Sequence, residues 1–439
     1  MGSHVRRDTR TCIVPRIGSG DRRERVGEQA AGWIILFAPR SAFHRSLEAH
    51  PLLEALMVFN AAAWAFAALL ALIDRLAYPE LRAEPIGFDP QDAPGVTVLI
   101  PARNEERNIE GCVLSVLNQT YPHVRAIVID DQSTDATPAI LDALAARDDR
   151  LRTIHGEPLP EGWVGKGWAL WQGHQQADGD WLILLDADVR LEPWAVDQML
   201  HSALERGADL LNPWPRFVNI SFWERLLQPI LWGLVRLRFP LIWVNQPWAP
   251  ENMAFGPVMM IRKSVYDAIG GHKPVAMDIL EDVALSKYLR VRGYKTVVIN
   301  GKQIARVRMY HSLQEIIAGW TKTAYGAMAY NFLLMVLAIF GLFFLATQPF
   351  VALAVGLLTD NSTWVMLAGL QIIAMGWRRI TDAQDNDFPF WTLVLHPLAM
   401  LLVHWMQIQA LWKYYFGSYE WKGRAYHKPK PANTALDKS

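Results

Sequence analysis

Cysteine is nearly absent from this chain. Cys12 and Cys112 are the only two, far apart and without metal-type spacing. That excludes a disulfide framework and a cysteine-built zinc site, and it fits a reducing compartment. Excess charge is missing too. The 43 basic and 43 acidic residues cancel, which leaves no case for nucleic acid or another polyanion as partner. No internal repeat and no low-complexity tract occurs. What is present is unevenly spread: apolar residues make up 51 % of the 439 and pile up near the start and in the last quarter.

The chain divides by composition. Residues 1–30 are Arg-rich and polar and read as a disordered N-terminus. Residues 31–75 form a membrane segment in which 31–38 is too short to span, whereas 52–73 (LLEALMVFNAAAWAFAALLALI) suffices at about 1.5 Å per residue against a core of about 30 Å. A linker with Pro79, Pro85 and Pro90 follows. In residues 95–325 the β-branched runs 96–101, 125–130 and 181–186 alternate with helical spacing at 104–117 and 136–147, which predicts βαβ units and a largely parallel sheet. Residues 330–412 are apolar again, with room for two to four spans and a loop at Asp360, Asn361 and Ser362. Residues 413–439 form a basic tail, expected in the cytoplasm.

Arginine placement gives conflicting orientations. Arg378, Arg379 and the tail favour a cytoplasmic side, as does the N-terminus. A single span after that N-terminus would put the αβ region outside. Either residues 31–73 re-enter as a hairpin, or the first residues do not set the topology.

Four polar clusters interrupt the αβ region in a fixed order. Pro101-Ala102-Arg103-Asn104-Glu105 ends the first run, where open αβ sheets bind ligands. Asp130-Asp131-Gln132-Ser133-Thr134-Asp135 ends the second; Asp130 or Asp131 can accept a hydrogen bond from a uracil N–H or a ribose hydroxyl, with Asp135 a helix cap or support. Asp186-Ala187-Asp188 ends the third. Two carboxylates spaced i, i+2 at a strand end repel; either they form a solvated turn, or a hard cation with oxygen ligands, Mg²⁺ or Mn²⁺, relieves them and diphosphate oxygens complete its shell. Glu281-Asp282 opens a later helical run and offers a base for an acceptor hydroxyl, or simply an acidic first turn.

This ordered set resembles family 2 glycosyltransferases. Gly162-Trp163-Val164-Gly165-Lys166, Arg308-Met309-Tyr310, Gly319-Trp320-Thr321-Lys322 and Trp421-Lys422-Gly423-Arg424 are similar to the membrane-bound branch that includes hopanoid-associated and carotenoid-acid glycosyltransferases. The resemblance implies an α/β fold of the GT-A type, a Rossmann-like nucleotide-sugar-binding domain with a mostly parallel sheet, plus transmembrane helices. It implies inversion at the anomeric carbon, donor contacts from Pro101, Ala102, Arg103, Glu105, Asp130, Asp131, Asp186 and Lys166, and Gly256 as the small residue beside the donor. It further implies metal at Asp188 with Asp186, and Asp282 as base with Glu281 beside it. Processive synthases of this family carry Gln-x-x-Arg-Trp; here no Arg precedes Trp320, which favours transfer of one sugar. Trp320 and Lys322 remain candidates for contact with acceptor or diphosphate.

Residues 216–248 lie between the metal and base clusters and combine Trp, Leu and Arg, with Pro229 and Pro240 dividing them into short pieces. That is the pattern of an interfacial segment feeding a lipid acceptor, or of a core helix. The expected protein is a multi-pass enzyme of the inner or plasma membrane, with its catalytic domain cytoplasmic, moving a hexose from a UDP-sugar to a lipid. The alternatives are transfer to polyprenyl phosphate, processive synthesis, and a scaffold with a dead transferase domain.

Overall fold

A computed structural model describes residues 51–426, apart from 247, 250–252, 329, 387, 388, 390, 418, 422 and 423. The expectations for residues 1–50 and for the tail beyond 426 fall outside the described residues.

Helix α1 (Pro51–Ala77) precedes the linker. The αβ unit then runs β1 (Val96–Ala102), α2 (Ile109–Leu117), β2 (Val124–Asp130), α3 (Thr137–Ala145), β3 (Leu151–His155), α4 (Gly165–His174), β4 (Trp181–Leu185), β5 (Val189–Leu191), α5 (Ala195–Arg206), β6 (Leu210–Trp214), β7 (Arg216–Phe217), α6 (Phe222–Arg238), β8 (Val258–Arg262), α7 (Glu281–Val291), β9 (Thr296–Asn300), β10 (Ala305–Val307) and α8 (Leu313–Gly326). A helical rod α9 (Phe332–Leu358), α10 (Ser362–Asn386) and α11 (His396–Phe416) follow. The small hairpin Tyr419–Trp421 with Arg424–Tyr426 occupies part of the expected tail.

Seven strands form the main sheet in the order β3-β2-β1-β4-β8-β6-β9, and only β8 runs antiparallel to its neighbours. β1 and β4 are buried along nearly their whole length, as strands covered by helices on both faces must be. A three-stranded sheet, β5-β10-β7, lies beyond it. The fold is thus of the expected α/β kind, with a mostly parallel central sheet. Helix α2 starts five residues later than the periodicity predicts. Asn104 takes a left-handed φ of 52°, and the chain there is hooked onto the β2–α3 loop: the amides of Asn104, Glu105 and Glu106 donate to Ser133 Oγ, Thr137 Oγ1 and Asp135 Oδ2.

Among the described residues, two helices are long and apolar enough to cross a membrane, Pro51–Leu76 and Phe332–Leu358. The second runs through a π turn at Phe343–Thr347.

The segment from 216 to 248 follows the core-helix reading of the two that the sequence offered. Pro229 does not divide it, because α6 is one continuous helix through Pro229, while Pro240 does end it. Leu231 and Trp232 are buried within the protein rather than laid on lipid, since α6 has neighbours on several sides. Its start is fixed by Ser221 and Glu224, each capping the other. Glu224 is fully buried and accepts from Arg308 Nη2 at 2.9 Å, Arg308 Nε at 3.1 Å and the Ile220 amide at 2.9 Å. Burial pushes its pKa up, but Arg308 and these amides outweigh that and hold it down to about 2. The Arg308-Met309-Tyr310 motif therefore contributes a structural clamp. Arg308→Met leaves the Glu224 carboxylate uncompensated and should cost about 3–5 kcal/mol of stability, read from denaturant unfolding at pH 7. Because the folded pKa lies below the ordinary 4.5, the wild-type contribution is complete above that value and is lost as pH falls towards 2.

Candidate active site

The buried run of β4 ends at Leu185, and Asp186 and Asp188 stand half-exposed in the turn that follows. The Asp186 amide donates to Pro257 O at 3.0 Å, and its carbonyl accepts from the Val189 amide at 3.1 Å and the Cys112 thiol at 3.6 Å. Burial pushes the Cys112 thiol far up, so this cysteine is an inert brace for the turn.

Lys166, in the first turn of α4, bridges two carboxylates. Its Nζ lies 2.8 Å from Asp186 Oδ1 and 2.9 Å from Glu281 Oε1. Asp282 belongs to the same knot: a Cβ added to Gly256 would sit 2.8 Å from Asp282 Oδ2 and 3.0 Å from Lys166 Nζ. Only a bare Cα leaves room for both groups. Lys322, in α8, sits within the field of Glu281, Asp282 and Asp186. Residues separated by more than a hundred positions thus converge around Gly256.

The electrostatics divide the adjacent carboxylates. Burial raises the Asp282 pKa, and the neighbouring Glu281 charge raises it further, to about 6. Burial also works against the Glu281 charge, but Lys166 overrides it and holds Glu281 low. Lys166 loses charge stability by burial, yet Asp186, Glu281 and Asp282 more than restore it and hold the ammonium well above its ordinary value. For Lys322 burial wins, and its pKa falls. Two carboxylates driven apart in this way are the kind of pair that acid–base chemistry uses, which makes this knot the candidate site.

The nucleotide-side candidates line the carboxyl ends of β1 and β2. Arg103 Nη1 donates to Asp131 O at 2.6 Å and Gln132 O at 3.1 Å, and the Asp131 amide donates to Ala102 O at 2.7 Å. These bonds hold Pro101, Ala102 and Glu105 beside Asp130 and Asp131, which are both buried at the strand end. Asp130 Oδ1 accepts from the Ser133 amide at 3.1 Å. Asp135 accepts from the amides of Glu106 and Thr137, which makes it a support of the two loops.

Trp320 belongs to an aromatic cluster beside this knot. Its Nε1 donates to Gln228 Oε1 at 3.2 Å, and its ring meets Trp232 edge-on. Trp232 packs in turn on Phe217 and Phe255, and Phe255 precedes Gly256. An aromatic wall thus adjoins the carboxylate knot. Sequence reading missed Phe255, Gln228 and the α6 partners of this wall; the one available signal was the density of aromatics in 216–256.

Residues 97–270 match the family model for glycosyl transferase family 2. The domain is a family 2 glycosyltransferase. The 4,4'-diaponeurosporenoate glycosyltransferase of Staphylococcus aureus (strain USA300) is 28 % identical over 358 residues, covering 79 % of this chain and 91 % of that protein. Among solved structures, a mannosyltransferase from Pyrobaculum calidifontis in complex with GDP-Man and Mn²⁺ aligns with TM-score 0.49 and 18 % identity over 82 % of this chain and 98 % of that one. Glucosyl-3-phosphoglycerate synthase from Mycobacterium tuberculosis, with Mn²⁺, UDP and phosphoglyceric acid, aligns with TM-score 0.37 and 18 % identity over 56 % and 84 %. The family match and the named relative make this protein an enzyme, a glycosyltransferase.

The donor set of the glycosyltransferase fits a hard cation as a shared ligand. Asp186 and Asp188 supply carboxylate oxygens at one turn, and no group of three or more His, Cys, Asp or Glu side chains among the described residues could hold a metal by itself. Diphosphate oxygens would have to complete the shell.

Proposed function

We propose that this glycosyltransferase moves one hexose, with inversion, from a UDP-sugar to a lipid-like acceptor at a membrane. The observation that carries the reading is the knot around Gly256, where Asp282 is held near neutrality beside a low-pKa Glu281 and a charged Lys166. Asp282 accepts the acceptor's proton as the new bond forms. Glu281 keeps Lys166 charged and in place. Lys166 faces the donor diphosphate together with Lys322, and both stabilise negative charge as the leaving group departs. Pro101, Ala102, Arg103, Glu105, Asp130 and Asp131 bind the nucleoside. Asp188 with Asp186 would hold Mg²⁺ or Mn²⁺, which neutralises diphosphate charge when bound.

The lipid acceptor rests on two supports. The aromatic wall of Trp232, Phe255 and Trp320 borders the knot, and α6 leads from that wall to the apolar helices α1, α10 and α11. The staphylococcal relative is named for a carotenoid acid. We read α1 and α9 as membrane-crossing, with the catalytic domain in the cytoplasm, where nucleotide sugars are made.

A panel of nucleotide sugars supplied to membranes carrying this protein, followed by mass spectrometry of extracted lipids, tests the whole reading. One UDP-hexose should give a lipid heavier by a single hexose. Products with several added sugars, or none with any donor, would overturn it. EDTA should abolish transfer, with recovery on added Mg²⁺ or Mn²⁺. Asp188→Ala should lower the rate by about 10²–10³-fold, the size of losing a preorganised charge stabiliser, and excess metal should not restore it.

A further inference from the structure

A buried histidine beside the catalytic knot has no part in the chemistry derived so far. His272 follows Gly270 and Gly271, whose φ values of 77° and 66° are left-handed and turn the chain back on the short helix Lys263–Ala268. The Gly271 amide donates to Tyr266 O at 2.8 Å. Gly271 has little room for a side chain, since an added Cβ would lie 3.2 Å from both His174 Nδ1 and Tyr266 Cε1. The turn lays the His272 ring against Tyr266 and leaves it 1 % exposed.

The proton on that ring has one place to be. His272 Nδ1 is hydrogen-bonded to the Tyr266 hydroxyl. Burial pushes the Tyr266 pKa far up, so the hydroxyl keeps its proton. Tyr266 is fully buried and its hydroxyl has no other partner among the described residues, and leaving a buried O–H unbonded is costly. The hydroxyl therefore donates to Nδ1, and the neutral ring carries its proton on Nε2. Burial drives the His272 pKa down to about 4, with Glu281 opposing and Lys166 assisting, so the ring is neutral at pH 7.

The Nε2 edge of the ring is turned to the knot. Nε2 is bonded to Cδ2, and Cδ2 lies 3.6 Å from where a Cβ on Gly167 would stand. Gly167 follows Lys166 in the first turn of α4, and the ring sits within the field of both Lys166 and Glu281. No described residue accepts from Nε2, and this atom is not closed off as Trp232 Nε1 and Thr321 Oγ1 are. An N–H held so rigidly, almost out of water and without a protein acceptor, is a donor prepared for an oxygen that arrives with a ligand.

A nucleotide sugar brings two kinds of oxygen, phosphate and hydroxyl. Phosphate is served by Lys166 and Lys322, and an anion favours a charged imidazolium over a neutral ring. A ring kept neutral by burial suits a neutral hydroxyl. We propose that His272 Nε2 donates a hydrogen bond to a hydroxyl of the transferred hexose and so helps to select which sugar is moved. A site built to bond a hydroxyl rejects a sugar that lacks or misplaces it, because the site's own polar group is then left unpaired. This role rests on the reading of the knot around Gly256 as the place of sugar transfer.

Two substitutions separate the two ring nitrogens. His272→Asn puts a carbonyl oxygen where Nδ1 stood, so Tyr266 keeps its acceptor while the Nε2 donor is lost. His272→Gln reaches the Nε2 position with an amide N–H but gives up the bond to Tyr266. Purified full-length protein in detergent with Mn²⁺ is titrated calorimetrically with UDP, UDP-glucose, UDP-galactose and UDP-N-acetylglucosamine. The wild type should prefer one of the three sugars. His272→Asn should weaken that donor about tenfold, the size of one lost hydrogen bond, while UDP affinity and melting temperature stay the same. His272→Gln should keep the preference and melt lower. Full sugar preference in His272→Asn overturns the proposal, as does equal weakening of UDP and the UDP-sugar, which would make His272 a prop for the fold. A wild type without preference among the three sugars overturns it as well. Turnover of Asp282→Asn and Gly256→Ala separates the two readings. If both variants lose turnover while His272→Asn keeps its preference, the histidine assignment alone falls; if both turn over normally, the knot is not the transfer site and both readings fall.

Discussion

Asp282→Asn should lower kcat by about 10³-fold, within the range attributed to a positioned general base, while KM for the nucleotide sugar changes little. Asparagine keeps the shape of the side chain and its contact with the Val283 amide, which donates to Asp282 Oδ1 at 2.8 Å, but it cannot take a proton. The same assignment fixes a pH dependence. Burial and the charge of Glu281 raise the Asp282 pKa to about 6, and only the deprotonated form acts as base. The kcat/KM profile of the wild type, which reports the free enzyme, should therefore rise with pH through a midpoint near 6. Glu281→Gln removes the raising charge and should move that midpoint down. It also takes a carboxylate from Lys166, so the rate at the plateau should fall as well. A loss of less than tenfold in Asp282→Asn, with an unshifted pH profile, would mean the acceptor arrives already anionic and needs no base.

Gly256→Ala should lower kcat by about 10²-fold, the cost of misplacing a reacting group by about an ångström, without unfolding the protein. The backbone of Gly256 lies outside the left-handed region, so alanine can adopt its conformation. The new methyl would instead meet Asp282 Oδ2 at 2.8 Å and Lys166 Nζ at 3.0 Å. The lysine end can swing away. The aspartate is short and tied to the start of α7, so it must shift. Steady-state kinetics with a melting curve decide the matter: a normal melt with a collapsed kcat supports the arrangement, and unchanged turnover means the knot is not where sugar transfer occurs. Glycine was legible here only through family resemblance. The reason for it is a distance between groups that neighbouring residues in the chain do not reveal.

Other features separate in the same way. The runs at 96–101, 125–130 and 181–186 could be read as strands because a strand covered on both faces needs continuous apolar residues. Strands β6, β8 and β9 were not read. Leu210–Trp214 contains Asn212 and Pro213, and β8 lies antiparallel to β4, so the alternation of strand with helix breaks down there. Pro229 was misread because proline usually ends a helix, whereas here capping at Ser221 and packing on several sides carry α6 through it. Arg308 was visible as a motif residue, but its partner Glu224 lies 84 positions away.

The sequence by itself determined the order of the carboxylate clusters, the strand ends that carry them and the two apolar helices, because each depends on residues near one another along the chain. The tertiary structure decided that Glu281 and Asp282, though adjacent, titrate in opposite directions. It also set Trp320 against Gln228 and buried Glu224 beside Arg308. Those outcomes depend on burial and on charges brought close in space, and Coulomb and desolvation energies follow distance through the fold rather than position in the chain.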